Sequence, residues 1–382
     1  MDQRQLSMSD IAIGEPLPWD VYGEGSKLLL RRGHVIQNSH QIEVLLQRGL
    51  FIDATAADRA TQARMEAARE ARKETPSALR FINLATKRLE RLLYNLANES
   101  DVQPKILEVV KALRFASEVN PDVALATILL NQDAASYAVR HCIDTALLAS
   151  LIARAMNKSA EEIQIIMAAS LTMNIGMLRQ HDQLEIKQEP LSEKESALIK
   201  GHALGSVHTL RDAGVTHADW LTYVQLHHEN DDGSGYPYGK GVAEIPQNAK
   251  IVAFADRYCA SIANRSYRKT LLPNVALRDV LLAGGKPSDP MLAAYFIKEI
   301  GTYPPGAMVR LQNGEIGVVT RRAKVAATPV VHSFIGPRGV PLSFPIQRDT
   351  SKDLFAIREL LSSQHASLRF SMQQLWGDEA AL

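Results

Sequence analysis

After Pro76 the apolar residues Leu79, Phe81, Ile82, Leu84, Leu89, Leu92, Leu93 and Leu96 recur near a helical period, which predicts an amphipathic helix running to Asn98. Further apolar helical segments are predicted from Pro104 to Phe115, Asp122 to Leu130, Ala138 to Met156 and Glu161 to Met173. The Ala138 segment is apolar all round and should be buried. Ser192 and Glu195 have capping-box spacing ahead of a helix that runs through Ile199 to Leu210. No alternating pattern interrupts the chain before Ile300, so residues 76–302 are expected to form an all-α domain.

From Tyr303-Pro304-Pro305-Gly306 onward the period becomes two. Met308 to Leu311 and Ile316 to Thr320 flank Asn313-Gly314, a strong signal for a hairpin with a type I′ turn. A third strand over Pro329 to Phe334 and a turn over Gly336 to Gly339 complete a small β module at 303–350. Short helices at Leu354 to Leu361 and Leu368 to Trp376 are predicted within 351–382. At the other end, residues 1–53 read as a small mixed α/β module. It has a strand at Lys27 to Leu30 and a helix capped by Ser39, with Ile42, Val44, Leu45 and Leu46 on its apolar side and Gly49 closing it. Residues 54–75 are rich in Ala, Arg, Glu and Gln, and Met65 is their one large apolar residue, which predicts a helical linker with no stripe to bury.

The 382 residues are 46% hydrophobic with a formal net charge of +1. That is ordinary globular composition, with no cationic excess for nucleic acid. The polar start MDQRQLSMSD and the absence of an apolar run of about 18 residues predict neither a signal peptide nor a membrane span, hence a cytoplasmic protein. Two cysteines, Cys142 and Cys259, cannot form a disulfide framework and are read as small apolar packing residues.

The densest chemistry lies in LHHENDDGSGYPYGK, residues 226–240. His227 and His228 are neighbours, and adjacent helical side chains point about 100° apart. Both rings can therefore serve one centre only at a helix end; otherwise they serve two close centres, as in a two-metal site. Gly233, Gly235 and Pro237 force an irregular loop with Tyr236 at its tip.

The order HHE, two residues, DGSGYP resembles the signature of the HD-GYP family, bacterial metal-dependent phosphodiesterases that hydrolyse cyclic di-GMP. The resemblance implies an HD-type helical domain at 76–302. It implies metal ligands at His141, which follows a Tyr137-x-x-Arg140 approach, at His202, at His227 and His228, and at Asp256 within IVAFADRYCASIANRSYR. It assigns Tyr236, Arg265 and Arg268 to the dinucleotide, since arginine offers a bidentate fork and a stacking plane. Where members with a third metal carry a glutamate ligand, this chain has Tyr137, and it has Cys259 in place of the family's second aspartate.

The family's His-Asp doublet, followed by Ile-Gly-Lys, is here Met173-Asn174-Ile175-Gly176-Met177. Asn174 removes the bridging charge that offsets repulsion between two cations, Met173 replaces an imidazole by a soft thioether, and Met177 removes the lysine that would meet the phosphate. The expectation is one divalent transition metal, such as iron or manganese, rather than an intact pair. The expected function is cyclic di-GMP signalling with impaired catalysis, acting through nucleotide or partner proteins; an active phosphodiesterase with an altered site is the alternative. The one His-Asp dipeptide, His181-Asp182, is read as an uninvolved piece of polar loop, and His34, His40, His208 and His217 as surface residues.

Overall fold

The computed structural model describes residues 3–6, 10, 11, 14, 16–37, 41, 45, 50–56, 58, 59, 62, 75–131, 134–187, 189–263, 271–282, 289–323, 325, 327–362 and 370–382. The chain divides into two compact units, Met1–Pro76 and Ser77–Leu382. In the first, β1 (Gln3–Gln5), β2 (Val21–Tyr22), β3 (Leu28–Leu30) and β4 (Phe51–Asp53) form an antiparallel sheet in the order β1-β4-β2-β3. Trp19, Val21, Ile36 and Ile52 are central to its small core. The helix predicted from Ser39 lies mostly outside the described residues, as does most of the 54–75 linker.

In the second unit eleven helices precede the sheet among the described residues. They are α1 (Ala78–Tyr94), α2 (Val102–Val119), α3 (Pro121–Leu130), α4 (Tyr137–Ala155), α5 (Ala160–Thr172), α6 (Leu178–Ile186), α7 (Glu193–Asp212), α8 (Ala218–Leu226), α9 (Gln247–Ile262), α10 (Pro273–Leu281) and α11 (Pro290–Ile300). Several of them start at side chains that satisfy the orphan N–H groups of the first turn. Ser77 caps α1, Asn120 precedes Pro121 at the first turn of α3, and Asp289 precedes Pro290 in α11. Capping boxes open α5 (Ser159, Glu162) and α7 (Ser192, Glu195). Helix α4 is buried on nearly every face, as its composition predicts, and α5 and α9 pack against it around one continuous core. No strand occurs among the described residues of 77–302.

The carboxyl-terminal sheet has five antiparallel strands, β5 (Met308–Leu311), β6 (Ile316–Arg321), β7 (Val330–Ile335), β8 (Pro341–Asp349) and β9 (Ile357–Leu361), in the order β8-β7-β6-β5-β9. Three expectations are corrected here. The β5–β6 connection is a three-residue loop over 312–314 rather than a type I′ turn, because only Gly314 of the pair Asn313-Gly314 has positive φ (90°) and Leu311 pairs with Glu315. The helix expected at Leu354 to Leu361 is strand β9, since pairing with the open edge of β5 outweighs its helix-compatible Ile-Arg-Glu-Leu-Leu composition. Strand β8 has no counterpart among the expected strands; its mostly exposed pattern lacks the apolar alternation by which strands are read.

After the sheet comes α12 (Met372–Trp376). The sheet is tied to the helices by Arg322, which pairs with Asp122 at 2.7 Å and Glu299 at 2.9 Å. The tail is tied by Trp376 Nε1, which donates to the Thr320 carbonyl at 2.8 Å.

Candidate metal and phosphodiester site

Helices α4, α6, α7 and α9, together with the turn 175–177 and the loop after α8, surround a cavity of about 540 Å³. It is lined by polar groups that include His141, Asn174, His202, His228, Tyr236 and Asp256. All of these were singled out in the sequence, and they arrive from segments far apart in the chain. His227 lies behind them, fully buried. Arg265 and Arg268 lie outside the described residues.

His227 and His228 sit at the carboxyl end of α8, the geometry in which adjacent imidazoles can converge. The donor nitrogens of His202, His227 and His228 all lie within 4.8 Å of one another. The His202 Nδ1–H donates to the Ile199 carbonyl at 2.5 Å, and the His227 Nδ1–H to the Val224 carbonyl at 2.7 Å. A carbonyl can only accept, so each neutral ring presents an unprotonated Nε2, and these two atoms face each other at 3.2 Å. Opposed lone pairs repel unless a cation lies against them. Protons are poor candidates. Burial lowers the His202 pKa, and it pushes His227 down to about 4 with help from the neighbouring His202 charge. His228 is held well below the ordinary imidazole value by burial and by His227. A buried set of neutral imidazoles fits a divalent transition metal.

Across the cavity the His141 Nε2–H donates to Asp256 Oδ1 at 2.7 Å. Burial alone would raise the Asp256 pKa, but this bond and the surrounding imidazoles hold the carboxyl well below the usual carboxylate range, so it is an anion at neutral pH. Asn174 is 2% exposed, and its Oδ1 has no hydrogen-bond partner among the described groups. An orphaned amide oxygen on such a wall is a vacant ligand position for a cation. Met173 and Met177 are buried beside it. Tyr137 stacks on His141 at 5.6 Å between ring centroids.

The loop is built for rigidity. Gly235 crosses the backbone of 228–230 so closely that a Cβ would lie 2.4 Å from Asn230 N and Glu229 Cα. The buried Glu229 carboxylate accepts the N–H groups of Tyr238 (2.7 Å) and Lys240 (2.8 Å), Asp231 pairs with Lys250 at 2.7 Å, and Asn230 accepts from Arg257 at 2.9 Å. Tyr236 is thereby held in a stack on His228, with centroids 4.7 Å apart. Gly176 does the same for the Met173–Met177 stretch, lying against α7 where a Cβ would meet His202 O and Ser206 N at 2.6 Å. None of these supports except the glycine turn was foreseen; Glu229, directly after the histidine pair, was the available signal.

His181-Asp182 is not in a loop. Both residues lie in α6, Asp182 accepts the Ala138 N–H at 2.8 Å and the Tyr94 hydroxyl at 2.5 Å, and His181 lines the cavity. The sequence carries little signal for this helix, because its few apolar residues, Leu178, Leu184 and Ile186, form no helical stripe and Ile186 is exposed. Cys142 and Cys259 are buried free thiols, as read. His34 and His208 are exposed, His217 caps α8 through Trp220 N–H, and His40 lies outside the described residues.

The HD domain family model matches residues 123–292, which takes in α3 through the start of α11 and every described group of the cavity. A cyclic di-GMP phosphodiesterase of Pseudomonas aeruginosa is 29% identical over 229 residues, 59% of this chain and 55% of that protein. The cyclic di-GMP phosphodiesterase response regulator RpfG of Xanthomonas campestris is 32% identical over 143 residues, 37% of this chain and 38% of that protein.

The chain carries an HD domain over these residues and resembles the HD-GYP family. Its match spans about half the length, or less, of these curated relatives. An HDG"Y"P protein from Bdellovibrio bacteriovorus aligns at TM-score 0.45 and 15% identity over 78% of this chain and 99% of its own. Among the described residues, no helix is long and apolar enough to cross a membrane.

Proposed function

We propose that this protein binds cyclic di-GMP in the cavity and hydrolyses it slowly or not at all, so that it acts through the bound nucleotide. The observation that carries the reading is Asn174, a neutral amide buried at the place where the family's bridging aspartate is expected. His202, His227 and His228 would hold one divalent cation, with Asp256 supplying negative charge nearby. When bound, such a cation supplies Lewis-acid polarisation of a phosphoryl oxygen and a water of lowered pKa. The protein's own groups do the rest. Asp256 keeps His141 oriented as a donor, and Tyr236 offers an aromatic plane and, because burial and the Asp256 charge raise its pKa, a phenol that stays protonated. Arg265 and Arg268 would grip phosphate and guanine. Met173 and Met177 add neither a hard ligand nor a phosphate contact.

An active phosphodiesterase is the second reading, and the orphaned Asn174 Oδ1 is what favours it, since an amide oxygen can still ligate a cation. Purified protein supplemented with manganese separates the two. Calorimetric binding of cyclic di-GMP with turnover far below about 1 per second supports the first, and turnover at ordinary enzymatic rates overturns it.

A further inference from the structure

We propose that a second cavity, on the side of α4 turned away from the histidines, is a binding site for a phosphate group, free or carried on a small molecule. It holds about 220 Å³ and lies between α2, α4 and the first turn of α5, where Arg114, Arg154 and Lys158 line it together with Ser150. None of its lining residues lines the histidine cavity. Ser150 follows His141 by nine residues on α4, and at about 100° per residue the two side chains leave opposite faces of that helix. Occupation of this site is independent of the cyclic di-GMP reading.

Two observations point to a ligand there. Ser150 is fully buried, and its Oγ has no hydrogen-bond partner among the described groups. A buried helical hydroxyl can return its proton to the carbonyl four residues back, as Thr145 does to His141 at 2.8 Å on the same helix and Ser170 to Ile166 at 2.9 Å on α5. Ser150 forgoes that bond and lies against the cavity, a costly arrangement until an acceptor arrives. The second observation is charge. The Arg154 side chain makes no hydrogen bond or ion pair among the described residues, and Arg114 makes one long bond, from Nη1 to the Ala160 carbonyl at 3.4 Å. Lys158 pairs with Glu162 at 3.3 Å, and Glu118 is the one acid that lines the cavity. Three cations from three segments thus surround one hydroxyl. A phosphate offers three or more acceptor oxygens to donors that converge from several directions, whereas a carboxylate offers two in one plane, and guanidinium forks match phosphate bidentately.

The test is calorimetric titration of the full chain, kept in chelator, with inorganic phosphate and with glycerol phosphate at constant ionic strength. We expect saturable binding in the wild type, a loss of about tenfold or more in Arg154→Glu, and a change of less than about twofold in Arg358→Glu, the same charge reversal at an exposed position of β9. Ser150→Ala gives a sharper readout. Removing an orphaned buried hydroxyl should raise the melting temperature of the ligand-free protein while weakening phosphate binding, so the thermal shift that phosphate produces should shrink. Tighter binding of glycerol phosphate than of free phosphate assigns an ester, with its organic part in the adjoining trough along α2 beside Leu107 and Phe115; the reverse order assigns the free ion, and either order supports the site. A wild type that saturates with neither compound at tens of millimolar overturns the proposal. So does binding that Arg154→Glu leaves intact, or that falls equally in Arg154→Glu and Arg358→Glu. Arg154 is exposed, so its reversal decides the matter even where Ser150→Ala fails to fold.

Discussion

The Nε2 atoms of His202 and His227 face each other across 3.2 Å while the opposite nitrogen of each ring is committed to a backbone carbonyl. Neither ring can flip to relieve the opposition without abandoning its carbonyl, so the pair is stable only to the extent that something positive lies against it. Metal binding should therefore stabilise the fold directly. At free manganese or zinc about a hundredfold above the dissociation constant, the gain is about 2.7 kcal/mol, or roughly 5 °C in melting temperature for a unit of this size. His202→Ala and His227→Ala should each abolish the shift in differential scanning fluorimetry. A full shift in both variants would place the cation elsewhere.

Restoring the doublet tests the consequence of Asn174. Met173→His, Asn174→Asp and Met177→Lys together supply an imidazole, a bridging charge and a phosphate contact at positions already packed against the cavity. Metal content by mass spectrometry should rise from one toward two per chain, and cyclic di-GMP turnover should rise at least tenfold. Unchanged stoichiometry would mean that residues 173–177 do not hold the family's metal-binding register.

Two glycines carry the site's backbone and should tolerate no side chain. A Cβ on Gly235 would sit 2.4 Å from the Asn230 nitrogen, and one on Gly176 would sit 2.6 Å from the His202 carbonyl. Overpacking of this kind costs about 1–3 kcal/mol. Gly176→Ala should lower global stability, because α7 packs there. Gly235→Ala should instead act on the loop, with loss of metal and nucleotide binding at nearly unchanged melting temperature. Equal thermal effects of the two substitutions would argue against separate roles.

The site was legible where its residues carry a pattern: adjacent imidazoles at a helix end, a glycine-rich loop after them, and Asp256 as the acid of an apolar helical face. The helical domain was legible for a similar reason, since its stripes and capping boxes act over a few residues. What escaped is nonlocal. The buried Glu229 clamp and the Asp231–Lys250 pair depend on how the loop folds back onto α9, which composition does not encode. His181 was read as loop because Arg179, Gln180 and Gln183 hide the few apolar residues of α6, and its place beside His141 comes from Asp182 docking on α4. Strand β9 was decided by the free edge of β5, a partner almost fifty residues upstream.

A last prediction concerns acid stability. Glu162 sits in the first turn of α5, where its carboxylate accepts the Ser159 N–H at 2.9 Å and the Asn248 amide at 3.2 Å, with Lys158 at 3.3 Å. The Ser159 backbone bond is the largest of the causes that bring its pKa from 4.5 down to about 2. For a carboxyl depressed on folding, the stabilisation is present in full above the unfolded value near 4.5 and is lost as pH falls toward 2. The side chain is 39% exposed, so solvent screens the effect, and its size should stay near the 1 kcal/mol or so of a helix cap. Glu162→Gln should thus be less stable than the wild type in urea at pH 7, and the gap should narrow between pH 4.5 and pH 2.5. High salt should shrink the pH 7 gap only in part, because the backbone bond persists where the Lys158 pair is screened. A gap that stays constant down to pH 2.5 would mean that the cap's worth lies in its shape rather than in the ionised carboxylate.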